Sequence, residues 1–181
     1  MKLLDYMKKA LKTSSQSQSE PESVDPDKLA ILKRQEQSEL FYLSFSQNRN
    51  AKPIEIDYRK MTFLVVDDFP GIIKLHSKII EKLGAKCIGA ESGEAALEIF
   101  QASEVGSIDV ILTDIHMHPL SGTDLSKHIR DMDREDAGKV VILAVTVDDN
   151  PEYVLQSGIN GHLQKLIDPD LLHECLQKYL R

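Results

Sequence analysis

From Met61 onward the chain alternates short apolar runs with stretches that are apolar on one side only. Met61 to Val66 and Ile108 to Thr113 are nearly continuous and rich in Val and Ile, the pattern of strands covered on both faces in a parallel sheet. Behind the first, Ile72, Ile73, Leu75, Ile79, Ile80 and Leu83 recur at helical spacing, and Gly84 stops the pattern. Lys86 to Ala90 reads as a short strand, and Ser92 as the cap of a helix carrying Ala95, Ala96, Leu97, Ile99 and Phe100. After the third strand a loop through Pro119 and Gly122 leads to a helix with Leu125, Ile129 and Met132. Val140 to Thr146 is the fourth strand, with a short helix from about Pro151 to Gln156 behind it, and His162 to Lys165 is the fifth. Asp168 and Pro169 start a final helix with Leu171, Leu172, Cys175, Leu176, Tyr179 and Leu180. Five strands alternating with five helices predict an α/β, doubly wound domain over residues 61–181.

The first 60 residues follow other rules. Leu3, Leu4, Met7, Ala10 and Leu11 share helical spacing while Lys2, Lys8, Lys9 and Lys12 stand elsewhere, so residues 1–12 form a short basic amphipathic helix suited to a weak membrane or partner contact. Thr13 to Asp27 has Val24 as its only aliphatic residue and too little apolar surface to fold, which makes it a flexible linker. Asp25 and Pro26 start a second helix that runs to about Phe45. Its Leu29, Leu32, Leu40 and Leu43 make a stripe that Glu36 interrupts, which leaves a dimer through residues 26–45 open without requiring it. Asn48 to Lys60, with Pro53, is a connector. Residues 1–60 are therefore read as a partly helical N-terminal extension.

Composition narrows the setting. The 181 residues are 41% hydrophobic and 28% charged, enough for one packed domain and an appendage. No apolar stretch is long enough to span a bilayer, and Met1 to Lys12 lacks the apolar core of a signal peptide, so a cytoplasmic location is expected. Cys87 and Cys175 lie far apart without metal-ligand spacing and are read as two reduced thiols. Residues 1–60 hold 11 basic against 9 acidic residues, a net of +2, whereas residues 61–181 hold 11 against 20, a net of −9. That balance argues against direct DNA binding by the C-terminal part.

The candidate chemistry collects at strand ends. In parallel α/β sheets ligands bind outside the carboxyl ends of the strands, and there stand Asp67 and Asp68, Asp114, Thr146 and Lys165. Carboxylates brought this close repel one another unless a cation intervenes, and hard oxygen donors suit Mg²⁺. Asp67 and Asp68 would hold the metal, and Asp114 would be a nucleophile toward phosphorus. Thr146 offers a hydroxyl and Lys165 a compact cation to phosphoryl oxygens. Phosphoryl transfer needs mainly positioning and charge neutralisation, and this set supplies both. Any one of these residues alone carries little; a plain turn acid or helix cap explains each, and only their conjunction at five strand ends points to function.

The segment from Met61 to Arg181 resembles the receiver domain of two-component response regulators. The resemblance rests on Val65 Val66 Asp67 Asp68, on Thr113 Asp114 Ile115 His116 Met117 with Gly122 following, on Thr146 and on Lys165. It implies a flavodoxin-like (βα)5 fold with strand order 2-1-3-4-5, phosphorylation of Asp114 by a histidine kinase or phosphotransfer protein, and Mg²⁺ held by Asp67, Asp68, Asp114 and the backbone carbonyl of His116. It also implies that the signal leaves through protein contacts with a downstream partner, over the face of the 151–156 helix, the fifth strand and the final helix. An enzyme in the ordinary sense is not expected. Several positions depart from the family's pattern. Lys165 is followed by Leu166 where the family has a Pro whose peptide bond is often cis, so either the surroundings hold that bond cis or the loop takes another path. Val147 stands after Thr146 in place of a small residue and would restrict access to Asp114. His118 replaces the Pro after the matching Met, with Pro119 one place later. His162 occupies the position of a switching Tyr or Phe, where it would follow Thr146 or simply face solvent. His116 and His118 beside Asp114 make a weak case for zinc. Two rivals remain at this stage: an interaction module that is never phosphorylated, and an aspartyl-nucleophile phosphatase of the haloacid dehalogenase type, which resembles an Asp-x-Asp arrangement that the adjacent acids here do not match.

Overall fold

The computed structural model describes residues 54–147 and 156–180. The expected helices within 1–12 and 26–45, the linker between them, and nearly all of the 151–156 helix lie outside the described residues.

Five parallel strands form one sheet. They are β1 (Thr62–Val66), β2 (Lys86–Ala90), β3 (Val110–Thr113), β4 (Val141–Thr146) and β5 (Gly161–Gln164), in the order β2-β1-β3-β4-β5. This is the order the resemblance implied. The three central strands are buried nearly throughout, which is why their sequences are apolar without alternation. β2 stands at an edge and exposes Lys86, Ile88 and Gly89. On one side of the sheet Leu64, Val66, Phe100, Ile111, Ile129 and Ile142 belong to a single core cluster.

Local chemistry sets the helix ends. α1 (Pro70–Lys82) has proline in its first turn and ends before Gly84, whose φ of +99° is a conformation glycine adopts without steric cost. Ser92 caps α2 (Gly93–Ala102) by accepting from the Ala95 N–H at 3.2 Å. Ser121 does the same for α3 (Gly122–Arg130) through the Asp124 N–H at 3.1 Å. Asp168 caps α4 (Pro169–Tyr179), accepting from Asp170 at 2.8 Å. Among the described residues no helix is long and apolar enough to cross a membrane.

Two differences from the sequence reading matter. β5 begins and ends one residue earlier than His162 to Lys165, so Lys165 stands in the turn after the strand; its N–H still reaches the Thr146 carbonyl at 3.1 Å, which closes the ladder with β4. Residues 54–60, read as a connector, pack onto the domain. Tyr58 opens a 3-10 turn capped by Asp57, and its buried ring stacks on Phe63 with centroids 6.5 Å apart. The Tyr58 hydroxyl is 3.0 Å from Nδ1 of His173 on α4, and Gln177 donates to the Ile54 carbonyl at 3.3 Å. Burial pushes the Tyr58 phenol up to about 12.

Candidate functional site

Register brings the acids together. Val66 and Thr113 are paired neighbours on β1 and β3, so Asp67 and Asp114 emerge side by side where those strands end. Carboxylate oxygens of Asp67, Asp68 and Asp114 all lie within 4.8 Å of one another. Asp67 and Asp114 are 2% and 7% exposed, whereas Asp68 faces solvent. Each buried acid is fixed by backbone donors. The Phe69 N–H donates to Asp67 Oδ1 at 3.0 Å, and the Ile115 N–H donates to Asp114 Oδ1 at 2.7 Å, with the His116 N–H more distant at 3.4 Å. Gly122 lets α3 start against this loop, because a Cβ there would collide with the Asp114 carbonyl oxygen and approach Thr113 Oγ1 to 2.9 Å.

The cation that meets these acids is the protein's own. Lys165 Nζ lies 2.7 Å from Asp67 Oδ2 and 2.7 Å from Asp114 Oδ2. Burial by itself would pull the ammonium down, but the hydrogen bonds to Asp114 and Asp67, with their charges, hold it above its ordinary value. Charge repulsion among the acids therefore did not require a metal, as the sequence reasoning had supposed. The Lys165–Leu166 peptide bond is cis, the first of the two alternatives left open for this loop, and His118–Pro119 is cis as well.

The other expected residues surround this centre at varying distance. Thr146 is buried at the end of β4, joined to Lys165 through its carbonyl. His162 is half-buried on β5, opposite Ala144 and two pairs away from the Thr146 to Gln164 pairing. His116 and His118 are exposed, and neither belongs to the group of side chains near enough to share an ion. Val147 is 74% exposed and Leu166 55% exposed.

Ser126, Asp136 and Ser157 are buried polar residues outside the sequence reading, and so is His76. His76, on the inner side of α1, is 2% exposed, and its Nε2 finds no hydrogen-bond partner among the described residues. Burial lowers its affinity for a proton, while the charges of Asp67, Lys165 and Asp114 all reach it. Its signal was its spacing, since it falls within the Ile72, Ile73, Ile79 and Ile80 stripe.

The donor set fits Mg²⁺. Three carboxylates can offer hard oxygens to one centre, and the exposed Asp68 leaves it open to solvent. Beside them, the Asp114 carboxylate is fixed by the Ile115 N–H, and the Lys165 ammonium lies within hydrogen-bond reach of it.

The family description "response regulator receiver domain" matches residues 63–177. A hybrid signal transduction histidine kinase of Dictyostelium discoideum is 34% identical over 139 residues, which cover 72% of this chain and 8% of that protein. The chain thus spans a small part of that relative's length. The chemotaxis response regulator CheY4 of Vibrio cholerae is similar in structure, with TM-score 0.57 and 28% identity over 66% of this chain and 98% of that one. The receiver domain of a Pseudomonas aeruginosa sensor histidine kinase, with magnesium coordinated in its active-site cleft, matches in fold with TM-score 0.58 and 24% identity, over 66% of this chain and 97% of that one. So does a Saccharomyces cerevisiae co-crystal of the phosphotransfer protein Ypd1 with the receiver domain of Ssk1, with TM-score 0.59 and 23% identity, over 69% and 91%.

Proposed function

We propose, for a chain that belongs to the response regulator receiver domain family, that it accepts a phosphoryl group on Asp114 in a two-component relay and passes the signal by protein contact. The observation that carries this reading is the Lys165 ammonium held between Asp67 and Asp114 at 2.7 Å from each, with Asp68 completing the carboxylate group. Mg²⁺ held by Asp67, Asp68 and Asp114, with the His116 carbonyl as a further oxygen, would withdraw charge from the incoming phosphoryl group.

The protein's own residues do the rest. Asp114 Oδ2 attacks phosphorus, the bond from phosphorus to the donor breaks, and the donor atom leaves with the electron pair. Lys165, freed from the carboxylate it now neutralises, follows the new negative charge. The Thr146 hydroxyl, at the end of the adjacent strand, supplies a donor to a phosphoryl oxygen. Its movement is felt on β5, where His162 sits two pairs away. The donor is a histidine kinase or phosphotransfer protein, the class to which Ypd1, seated on a receiver of the same fold, belongs. The protein consumes one donor phosphoryl group and is itself the product, so it is a phosphoacceptor rather than an enzyme acting on a small substrate.

The test is direct. Incubated with acetyl phosphate and Mg²⁺, the protein should gain one base-labile phosphoryl group by intact mass, and Asp114→Ala should gain none. An unlabelled wild type points to the interaction module, and steady release of phosphate from many donor molecules points to the phosphatase.

A further inference from the structure

Residues 54–60 precede the span that the family description matches, which begins at residue 63, yet they are folded onto the domain. Within this stretch Tyr58 alone is buried, and its ring stacks on Phe63. The ion pairs of the stretch are internal, from Asp57 to Arg59 at 2.8 Å and to Lys60 at 3.7 Å. Polar anchorage comes from α4 through one circuit. Gln177 Nε2 lies 3.3 Å from the Ile54 carbonyl oxygen and 3.0 Å from His173 Nε2, and His173 Nδ1 lies 3.0 Å from the Tyr58 hydroxyl. An amide nitrogen can only donate, so His173 Nε2 accepts and the Nδ1–H donates to the Tyr58 oxygen. His173 and Gln177 stand one helical turn apart on α4, and a shift of that helix therefore acts on both ends of the circuit together.

We propose that residues 54–60 are a strap that α4 holds while Asp114 is unphosphorylated and releases once Asp114 carries a phosphoryl group. The inference rests on the phosphoacceptor reading of Asp114 and adds a second element that reads its state. Both supports of the strap run into the site. Phe63, under the Tyr58 ring, lies on β1, which leads directly into Asp67, and Asp168, the cap of α4, comes soon after Lys165. In the unphosphorylated protein Lys165 is shared between Asp67 and Asp114, 2.7 Å from each, and this fixes the turn that enters α4. A phosphoryl group on Asp114 moves the negative charge outward. Lys165 follows it, and the turn carries the start of α4 along. Side-chain contacts already at 3.0 and 3.3 Å tolerate little stretching, since at about 3.6 Å they are no longer hydrogen bonds. With the circuit broken one buried ring remains to hold the strap, so residues 54–60 open as a unit and uncover the His173 and Gln177 side of α4. The coupling is reciprocal: a strap held on α4 favours the unphosphorylated state.

The experiment is hydrogen exchange read by mass spectrometry on the full chain in Mg²⁺, with and without acetyl phosphate, while intact mass of the same samples gives the phosphoryl occupancy. The amides of Arg59, Lys60 and Met61, bonded within the strap's own turn, report its opening. In phosphorylated wild type they should exchange about tenfold faster than in the unphosphorylated protein. The variant Q177A, which lacks the amide that closes the circuit, should show the faster exchange without any donor and change little on labelling. A wild-type adduct with unchanged or slower exchange overturns the strap, and so does Q177A exchanging as slowly as wild type when neither is labelled. If no adduct forms on the wild type, the phosphoacceptor reading falls, and the link between strap and Asp114 falls with it.

Discussion

Replacing His76 by Leu separates a buried imidazole from the site chemistry around it. The side chain is 2% exposed and its Nε2 is unpartnered among the described residues. An unsatisfied buried polar group costs about 1–3 kcal/mol. Leu has similar bulk and no polar atom, so H76L should be more stable than wild type near neutral pH, by about 1 kcal/mol. The pH dependence is the sharper consequence. Burial lowers the proton affinity of His76 in the folded protein; the Asp67 charge opposes this, Lys165 reinforces it and Asp114 opposes it. An unfolded histidine titrates near 6.5. Below that value the unfolded chain binds a proton at this position that the folded chain does not, so stability falls with falling pH. Between about pH 7.5 and about pH 5.5 the loss is at most about 1.4 kcal/mol, reached if the folded imidazole takes up no proton. Urea unfolding at the two pH values, followed by circular dichroism because the chain has no Trp, measures it. H76L should lose less stability on acidification than wild type by up to that amount. Parallel pH profiles for the two proteins, or a marked destabilisation of H76L near neutral pH, would refute the account of His76.

Other residues yield further expectations. Lys165→Met leaves Asp67 and Asp114 facing each other without their shared cation; stability without Mg²⁺ should fall by about 3 kcal/mol, and added Mg²⁺ should recover part of it in thermal melts. Gly122→Ala places a methyl group against the Asp114 carbonyl and Thr113 Oγ1, so unfolding should cost about 2 kcal/mol less than in wild type, and acetyl phosphate labelling should slow as the acceptor loop shifts. Tyr58→Phe keeps the stacking on Phe63 but removes the hydroxyl contact to His173; a loss of about 1 kcal/mol in urea unfolding is expected, and no change would show that the contact contributes nothing.

The sheet was legible because its central strands are covered on both faces. Val65, Val66, Ile111 and Leu112 have no polar alternation to obscure them, and Ser92, Asp168 and Gly84 punctuate the helices with chemistry that acts locally. β5 was misplaced by one residue because four residues at the edge of a sheet carry little pattern of their own, and pairing with β4 decides their limits. Long-range contacts were not legible. Tyr58 and His173 are separated by 115 positions, and nothing in the polar 48–60 stretch announces that part of it packs on the last helix. For the site, strand ends predicted which acids meet, but not that Lys165 would already lie between two of them. That depends on how the turn after β5 brings the ammonium back over Asp67 and Asp114. His76 was passed over because histidine counts as polar in a periodicity reading, although its spacing placed it on the buried side of α1.

The central claim is that Asp114 is the residue that carries phosphorus. After acetyl phosphate treatment with Mg²⁺, borohydride reduction converts an aspartyl phosphate to homoserine, which peptide mapping locates. The account predicts homoserine at position 114, lost when Mg²⁺ is chelated before the reaction and absent in Asp114→Asn. Homoserine at position 67 or 68, or none anywhere while wild type remains folded, would contradict it.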